Sequence, residues 1–529
     1  MSLKFVNGTK LRHSEGVERA KNLLFGHRKI LRFAQNDTDG ASHFYRRTAA
    51  RDLCSGQGLC ARLLMLGILL GAWAWRLAGL TSQSLWRDEV DSLRFATRSL
   101  PEVLAAFTRP GENGPLFYLL LRPWLALVGH SEFALRFPSV LMGVLAIPLI
   151  FLWGKYLFGR KAGVGGGLLA ALLLAVNPYH VWYSQEARMY ALVVVLILLS
   201  SWWFKEALEK GRWWRWALWY LFVSLGFYIH VLAVLALPLQ AFWLLILPGW
   251  RRRWKSALAA FALLILPYLP LIGWQWTLLT DVHFRTGHAF APLNRMLYTL
   301  FAVQIQGIPT ASRWFFALPI FLLLGAFLLP PFRKKAIGIL GSWWLLPPLL
   351  FFLITLITPL FTDRYMIWTL PALVLLLALG GMQIARQNRW VSAILLLGLV
   401  GFQFHQGWRQ MTTPIKPDLR AAAAYVAPRR GPDDLTIFLM PYIHFTYRYY
   451  DPGDYPWAEA PYANREPDAS QIPQRLEELT AGYAGVWLVE SEAAFYDRNG
   501  LIHAWFDENA ELVDEAHFAL VDVYHYVLH

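Results

Sequence analysis

The sequence predicts an all-α polytopic membrane protein with a small α/β domain at its C-terminus. Hydrophobic residues make up 56% of the 529 residues, and they occur in repeated runs close to the roughly 20 residues that span a bilayer. The formal net charge is +14, yet residues 411–529 carry 8 basic and 19 acidic side chains. This charge asymmetry, together with the loss of long apolar runs after residue 410, divides a membrane domain (61–410) from a soluble domain (411–529).

Residues 1–60 are polar and rich in Arg, Lys and His, and they have no sustained apolar period. We interpret them as a disordered tail or as a mis-assigned start upstream of the protein proper. Since they lack an apolar stretch followed by a small-residue cleavage site, the first apolar run is expected to remain as a transmembrane helix. The two cysteines, Cys54 and Cys60, both lie in this tail and support neither a disulfide framework nor a cysteine-based metal site.

About eleven transmembrane helices are expected. The apolar runs are 62–80, 133–158, 163–179, 189–207, 213–229, 231–249, 256–278, 314–332, 336–358, 366–384 and 390–406. The run 115–129 is short and carries Arg122 and Pro123, so it is expected to enter the bilayer without crossing. With that assignment the N-terminus is cytoplasmic, and so are the basic clusters, as the positive-inside rule requires. These clusters are GRK, KEALEKGR, RRRWK, RKK and RQNR.

The same topology places the acidic and mixed-charge loops, and everything after Trp408, on the external face of an inner (plasma) membrane. Residues 411–529 alternate between helix-like segments, KPDLRAAAAYVAPRRG and SQIPQRLEELTAGY, and strand-like segments, LTIFLM, GVWLVE and ALVDVYHYVLH. They predict an extracytoplasmic α/β domain without specifying a ligand.

Three acids, Asp88, Glu89 and Asp91, follow the first apolar run in SLWRDEVDSLRF. A carboxylate at a helix exit that faces water can act as a general base or bind a cation, although a solvated capping cluster would have the same sequence. Apolar residues recur in this segment at the spacing of an amphipathic helix on the membrane surface. Glu112, in the turn-rich RPGENGP, could add a carboxylate to the same pocket or simply be a loop-tip acid.

Two arginine sites lie at the external membrane interface. Glu186, Arg188 and Tyr190 occur in YSQEARMY, and Arg364 and Tyr365 occur in TDRY. Charged groups so close to hydrocarbon are costly unless they are paired or used. Because a guanidinium presents a fork that matches phosphate oxygens, two such arginines on one face would suit a lipid phosphate.

Other candidate motifs are weaker. His230, in FYIHVLAV, is more often a satisfied interfacial histidine than a catalytic one. Asp281, His283 and His288 form D-x-H-x4-H, which is compatible with a divalent metal but far from a specific ligand pattern, so no cofactor is assigned. GVGGGLLAALLL lies inside a predicted span, where small residues serve helix packing, which argues against a nucleotide loop. The basic clusters are explained by topology, and nucleic acid is not an expected partner.

The motifs occur in a recognisable order: WRDEVDSLRFA, GENGPLFYLLLRPWLALVGHSEFALRFPSVLMG, NPYHVWYSQEARMYAL, YIHVLAVL and DRYMIWTLPAL. Together they resemble the bacterial glycosyltransferases of family 39 in the GT-C superfamily, a group similar to protein O-mannosyltransferases and the lipid A aminoarabinose transferase. The resemblance covers about residues 62–405 and implies a GT-C fold. It also implies inverting transfer of a sugar from a polyprenyl-phosphate donor to an acceptor hydroxyl, with relatives that use no catalytic metal.

The resemblance also implies roles for single residues. It makes Asp88 the base and Glu89 its neighbour, both facing donor sugar and acceptor. Glu112 matches the acid of the next loop, although ENGP has Gly114 in place of one proline of the family's pair. Glu186 and Arg188 match the segment near the lipid phosphate, and Arg364 with Tyr365 matches a later phosphate-contacting arginine.

A transporter or lipid flippase without covalent chemistry is the competing class. It predicts ionisable residues near the bilayer midplane or paired broken helices, whereas the central parts of these spans are almost free of charge. A surface receptor or scaffold would leave the external acids and arginines unexplained. The expected partners are therefore a polyprenyl-phosphate sugar, membrane lipids and an acceptor that could be a protein, a lipid or a glycan, and the sugar is not identified.

Overall fold

The computed structural model describes residues 56–108, 114–247, 249–280, 289–308, 313–332, 334–465 and 468–529. Residues Gly67–His529 form one structural unit and Met1–Leu66 form another. Several predictions concern positions outside the described residues, namely Cys54, Glu112, the D-x-H-x4-H loop (Asp281, His283, His288) and most of the N-terminal tail.

Up to residue 412, the described chain is built of helices. They are α1 (Gly56–Leu77), α2 (Arg87–Thr97), α3 (Leu100–Ala105), α4 (Pro115–Val128), α5 (Glu132–Val176), α6 (Pro178–Ser184), α7 (Tyr190–Lys210), α8 (Trp213–Ile229), α9 (Ala236–Trp243), α10 (Trp250–Leu263), α11 (Ile265–Thr280), α12 (Leu293–Gln306), α13 (Ala317–Leu328), α14 (Lys334–Thr355), α15 (Leu370–Gln387) and α16 (Arg389–Thr412). Short 3₁₀ helices occur at Val231–Leu235, Arg313–Phe316 and Asp363–Thr369.

Seven helical segments in the described ranges are long and apolar enough to cross a membrane, and an eighth is added if the bent pair Ala162–Val176 and Pro178–Ser184 is one span. The predicted polytopic architecture is confirmed. Three of the eleven predicted runs, 213–229, 231–249 and 314–332, form shorter helices. For example, α8 has 17 residues and is therefore about 26 Å long, less than the roughly 30 Å hydrocarbon core. Helix α4, with 14 residues, is shorter still.

Helix α15 is the centre of the helical domain. Of its apolar window, 89% is buried, and it packs against α5, α13, α14 and α16. A Cβ added at Gly380 would lie 1.8 Å from the Leu322 carbonyl oxygen. Only glycine permits this approach of α15 to α13, the use of small residues that is typical of membrane helix packing.

The C-terminal region is a five-stranded sheet with helices. Its elements are α17 (Leu419–Val426), β1 (Asp434–Phe438), α18 (Ile443–Tyr450), β2 (Trp457–Glu459), α19 (Ile472–Thr480), β3 (Gly485–Glu490), α20 (Leu501–Asn509), β4 (Ala510–Phe518) and β5 (Val521–Leu528). The strand order is β2-β1-β3-β5-β4, parallel from β2 to β3 and antiparallel from β3 to β4. Two hydrophobic clusters pack on the sheet, which confirms the predicted α/β character.

The α/β domain is attached to the loop between α1 and α2. Arg420 donates hydrogen bonds to the carbonyl oxygens of Thr81 and Ser82 and forms an ion pair of 3.0 Å with Glu132. The backbone N–H of Leu85 donates to the hydroxyl of Tyr450 at 2.6 Å. These bonds fix the sheet domain beside the segment that leads into α2.

Candidate active site

Helix α2 carries the acids that follow the first apolar run. The predicted helix is confirmed, and Glu89, Val90, Ser92 and Ala96 are its buried residues. Consecutive residues in an α-helix are rotated by about 100°, so Asp88 and Glu89 project into different surroundings.

Glu89 is fully buried in an ion-pair network. Its carboxylate accepts two hydrogen bonds from the Arg136 guanidinium, at 2.7 and 2.8 Å, and one from the Lys416 ammonium at 2.8 Å. The backbone N–H of Ala187 donates to it at 3.0 Å. Burial alone would raise its pKa, but Arg136 and Lys416 outweigh burial and hold the pKa of Glu89 at about 2. The carboxylate is therefore ionised and occupied by structural partners.

Asp88 lies on the other side of the same turn and lines a cavity. Its Oδ2 is 3.2 Å from the Nη2 of Arg364, and its side chain is 22% exposed. This cation holds the carboxylate in place while leaving part of it open to the cavity, the arrangement that a general base requires.

The two predicted arginines flank Asp88. The Nη1 of Arg188 lies 3.2 Å from the Asp88 carbonyl oxygen, 3.3 Å from the Tyr118 hydroxyl and 3.4 Å from the Ser92 hydroxyl. In the described part of the chain, the Nε atoms of both Arg188 and Arg364 are buried without a hydrogen-bond partner. A buried donor without a partner is costly. Each guanidinium can therefore donate a further hydrogen bond to a bound anion.

An aromatic layer adjoins these arginines. The His230 ring lies 4.9 Å from the Tyr365 ring and 6.3 Å from the Tyr190 ring. Its Nδ1 accepts the N–H of Leu232, which assigns the ring proton of neutral His230 to Nε2. That Nε2 is buried and has no partner among the described residues, so it is a further donor for an anion or a sugar oxygen.

A cavity of about 430 Å³ lies between the helical domain and the α/β domain. The helical domain contributes Asp88, Glu186 and Arg364 with the rings of Trp86, Trp182 and Tyr183, and the segment after α16 contributes Lys416. The other predicted residues that the structure describes do not line this cavity. Tyr190 and His230 are buried, and Arg188 and Tyr365 are half-buried. Among the described residues, no group of three or more His, Cys, Asp or Glu side chains could hold a metal ion.

Glu186 is another carboxyl on the cavity wall. It is buried, its Oε1 is 3.9 Å from the Lys416 Nζ, and its Oε2 has no partner among the described residues. Burial raises its pKa to about 7, with Lys416 opposing the rise and the Glu89 charge adding to it. Its charge therefore changes near neutral pH.

This titration predicts a pH dependence of phosphate binding. Below pH 7 Glu186 is neutral, and above pH 7 its negative charge opposes an anion near Arg364, at a cost of about 1 kcal/mol for partly screened charges. We expect the affinity for a polyprenyl phosphate, the ligand that the sequence predicts, to weaken severalfold from pH 6 to pH 8 in the native protein relative to Glu186→Gln. Because the variant shares any titration of the lipid itself, identical pH profiles would contradict the assignment.

Two residues of the site were missed by the sequence prediction. Arg136 lies within the apolar run 133–158, and Lys416 follows α16 in TTPIKPD. A charge inside a spanning run is itself a signal, because such a residue needs a buried partner. Lys416 has no comparable signal, since a lysine just outside a membrane helix is common.

Comparison with known proteins agrees with this architecture. Residues 110–274 match the family of dolichyl-phosphate-mannose-protein mannosyltransferases. The structure of ArnT from Cupriavidus metallidurans in the apo state superposes with a TM-score of 0.56 at 13% identity, covering 89% of this chain and 98% of that one. At this level of identity the likeness shows the fold, so the chain has the same fold as ArnT. The predicted resemblance is thus confirmed at this level.

Two further GT-C structures are similar. ArnT from Cupriavidus metallidurans bound to undecaprenyl phosphate has a TM-score of 0.51 at 13% identity, with 89% of this chain and 98% of that chain covered. The oligosaccharyltransferase AglB from Archaeoglobus fulgidus, in complex with an inhibitory peptide and a dolichol-phosphate, has a TM-score of 0.54 at 12% identity, with 88% and 74% covered. No curated protein sequence matches this chain significantly.

Proposed function

We propose that the protein is an inverting glycosyltransferase that moves a sugar from a polyprenyl-phosphate donor to an acceptor hydroxyl. One observation carries this proposal: Asp88 opens onto a cavity while paired with Arg364, and the Nε donors of Arg364 and Arg188 have no partner among the described residues. A base and an anion site thus adjoin each other. The similar structures that hold undecaprenyl phosphate and dolichol-phosphate support a lipid phosphate as the anion.

The reaction follows from this geometry. Asp88 accepts the proton of the acceptor hydroxyl as its oxygen attacks the anomeric carbon from the face opposite the phosphate. The bond between the anomeric carbon and the phosphate oxygen breaks, and its electron pair stays with the phosphate. Arg188 and Arg364 stabilise the charge that develops on this leaving group, and backside attack inverts the anomeric configuration.

The other predicted site residues take supporting roles in the proposal. Glu89 is a positioning residue, since its carboxylate is occupied by Arg136, Lys416 and Ala187. His230 donates from Nε2, and Tyr190 and Tyr365 shape the layer around it. Glu112 remains a predicted acid of the site outside the described residues.

Loss of either arginine should weaken lipid-phosphate binding. A hydrogen bond to a charged group contributes about 1.5–3 kcal/mol, so Arg188→Ala and Arg364→Ala should each raise the Kd for undecaprenyl phosphate roughly 10-fold to 150-fold. Arg429→Ala is the matched control, because Arg429 is an exposed arginine that lies over the Tyr425 ring in the α/β domain. Binding by the purified variants in lipid nanodiscs measures the effect. Native affinity in both site variants would show that the phosphate binds elsewhere.

The protein is a multi-pass membrane protein, and we place its cavity and α/β domain outside an inner (plasma) membrane, with the N-terminus in the cytoplasm. The support is the distribution of basic clusters under the positive-inside rule. Alkaline phosphatase, which is active only outside the cytoplasm, should be active when fused after His529, and an inactive but stable fusion would reverse the topology.

A further inference from the structure

The α/β domain supplies a whole wall of the cavity. The cavity is lined on this side by Tyr442, which precedes α18, by Thr446 of α18, by Ser491 and Glu492 after β3, and by Leu520 between β4 and β5. The helical domain lines the same cavity with Asp88 and Arg364. If the donor phosphate occupies the arginine side, this second wall is left for the acceptor.

Backbone conformation singles out two residues of this wall. In the described part of the chain, the non-glycine residues with positive φ are Glu492 (φ 52°) and Leu520 (φ 57°), and both line the cavity. Residues other than glycine rarely adopt this left-handed backbone conformation, and residues with such backbone strain cluster at functional sites. The Ser491 hydroxyl donates to the Leu520 carbonyl oxygen at 2.8 Å and so ties the two strained turns together.

Polar side chains of this wall are available to form hydrogen bonds with a ligand. The Thr446 side chain is fully buried, and its hydroxyl has no partner among the described residues. Glu492 is exposed. Two other acids on the cavity wall lie near a cation, Asp88 near Arg364 at 3.2 Å and Glu186 near Lys416 at 3.9 Å. Asp363 also lines the cavity and accepts a hydrogen bond from the Tyr183 hydroxyl at 3.4 Å. Arg87 also lines the cavity, pairs with Asp91 and lies over the Tyr442 ring.

We propose that this wall binds the acceptor and that Glu492 selects a carbohydrate bearing hydroxyl or ammonium donors over one bearing an anionic group. The inference rests on the proposed transferase function and names its acceptor class. A carboxylate accepts hydrogen bonds from hydroxyl and ammonium groups but repels carboxylates and phosphates. The rings of Trp86, Trp182 and Tyr442 add apolar surfaces on which the C–H face of a sugar ring can stack.

The test compares three soluble probes that share one scaffold: methyl glucoside, methyl glucosaminide and methyl glucuronide. Their binding to the full-length protein in nanodiscs is measured by calorimetry. The native protein should bind the glucoside and the glucosaminide at least about tenfold more tightly than the glucuronide. Glu492→Gln should reduce this preference severalfold, Glu492→Lys should reverse it, and Thr446→Val should weaken all three. Glu511→Gln, an exposed acid of β4, is the control and should change nothing.

Two results would overturn the inference. One is equal binding of all three glycosides by the native protein and by both Glu492 variants. The other is no glycoside binding together with binding of a Ser- and Thr-containing peptide, which would make the acceptor a protein. Release of undecaprenyl phosphate from an undecaprenyl-phosphate sugar is followed in parallel. A charge preference without release counts against the transferase proposal, whereas release without a charge preference counts against this inference.

Discussion

Asp88→Asn should reduce sugar transfer by roughly 10²-fold to 10⁴-fold, the range expected when a general base is removed. The amide keeps the size of the side chain and can still lie beside Arg364, but it cannot accept the acceptor's proton. Binding of undecaprenyl phosphate should therefore persist. The measurement is release of undecaprenyl phosphate from a sugar-charged donor in the presence of membrane extract, with binding followed separately.

Asp91→Asn is the matched control for this variant. Asp91 lies on the same helix and pairs with Arg87 at 3.8 Å and Arg94 at 2.8 Å, at the protein surface, where ion pairs contribute about 0–1 kcal/mol. It should keep nearly native turnover. If Asp88→Asn remained as active as Asp91→Asn in correctly folded protein, another group would have to be the base.

Glu89→Ala should destabilise the protein by about 3–5 kcal/mol, because removing one member of a buried ion pair leaves the others without compensation. Arg136 and Lys416 are 2% and 7% exposed in the network, so water cannot replace the lost carboxylate. Denaturant-induced unfolding in detergent micelles, followed by tryptophan fluorescence, measures the change. Glu478→Ala, which removes an exposed acid of α19, serves as the control.

The stability of the same variant should also depend on pH differently from that of the native protein. Glu89 is held at a pKa of about 2 in the folded protein, against an ordinary value of 4.5. The stability contributed by its ionised form is therefore fully present above pH 4.5 and is lost as the pH falls toward 2. The free energy of unfolding of the native protein should therefore decrease between pH 4.5 and pH 2, and that of Glu89→Ala should lack this decrease. A variant with native stability but no turnover would make Glu89 a participant in the chemistry instead of a positioning residue.

The first acidic motif illustrates what the sequence could predict. The helix, its amphipathic character and the nearness of its acids to two arginines were predictable from apolar spacing and interfacial charge. The different surroundings of Asp88 and Glu89 were not, because adjacent acids have the same local signal and only tertiary packing separates them. The partners of Glu89 are 47 and 327 residues away along the chain, beyond the reach of any local pattern.

The helix lengths and the edge of the sheet were likewise not predictable from local sequence patterns. Apolar runs predicted the long spans, but hydropathy does not report helix length, so the shorter lengths of α8, α9 and α13 were not predicted. Strands β1 and β3 are buried throughout and were predicted from their apolar sequence. Strand β4 was missed because it is an edge strand whose residues are mostly exposed, so its sequence AELVDEAHF lacks an apolar signal.

The network around Glu89 has a consequence for synthesis of the protein. Glu89 and Arg136 leave the ribosome early, whereas Lys416 follows the last spanning helix, Arg389–Thr412. While the intervening helices are being inserted, the growing chain does not yet contain the lysine that completes this network. The cavity therefore gains its Lys416 wall only after translation has passed Arg389–Thr412, so the proposed activity has to follow synthesis of the helical domain.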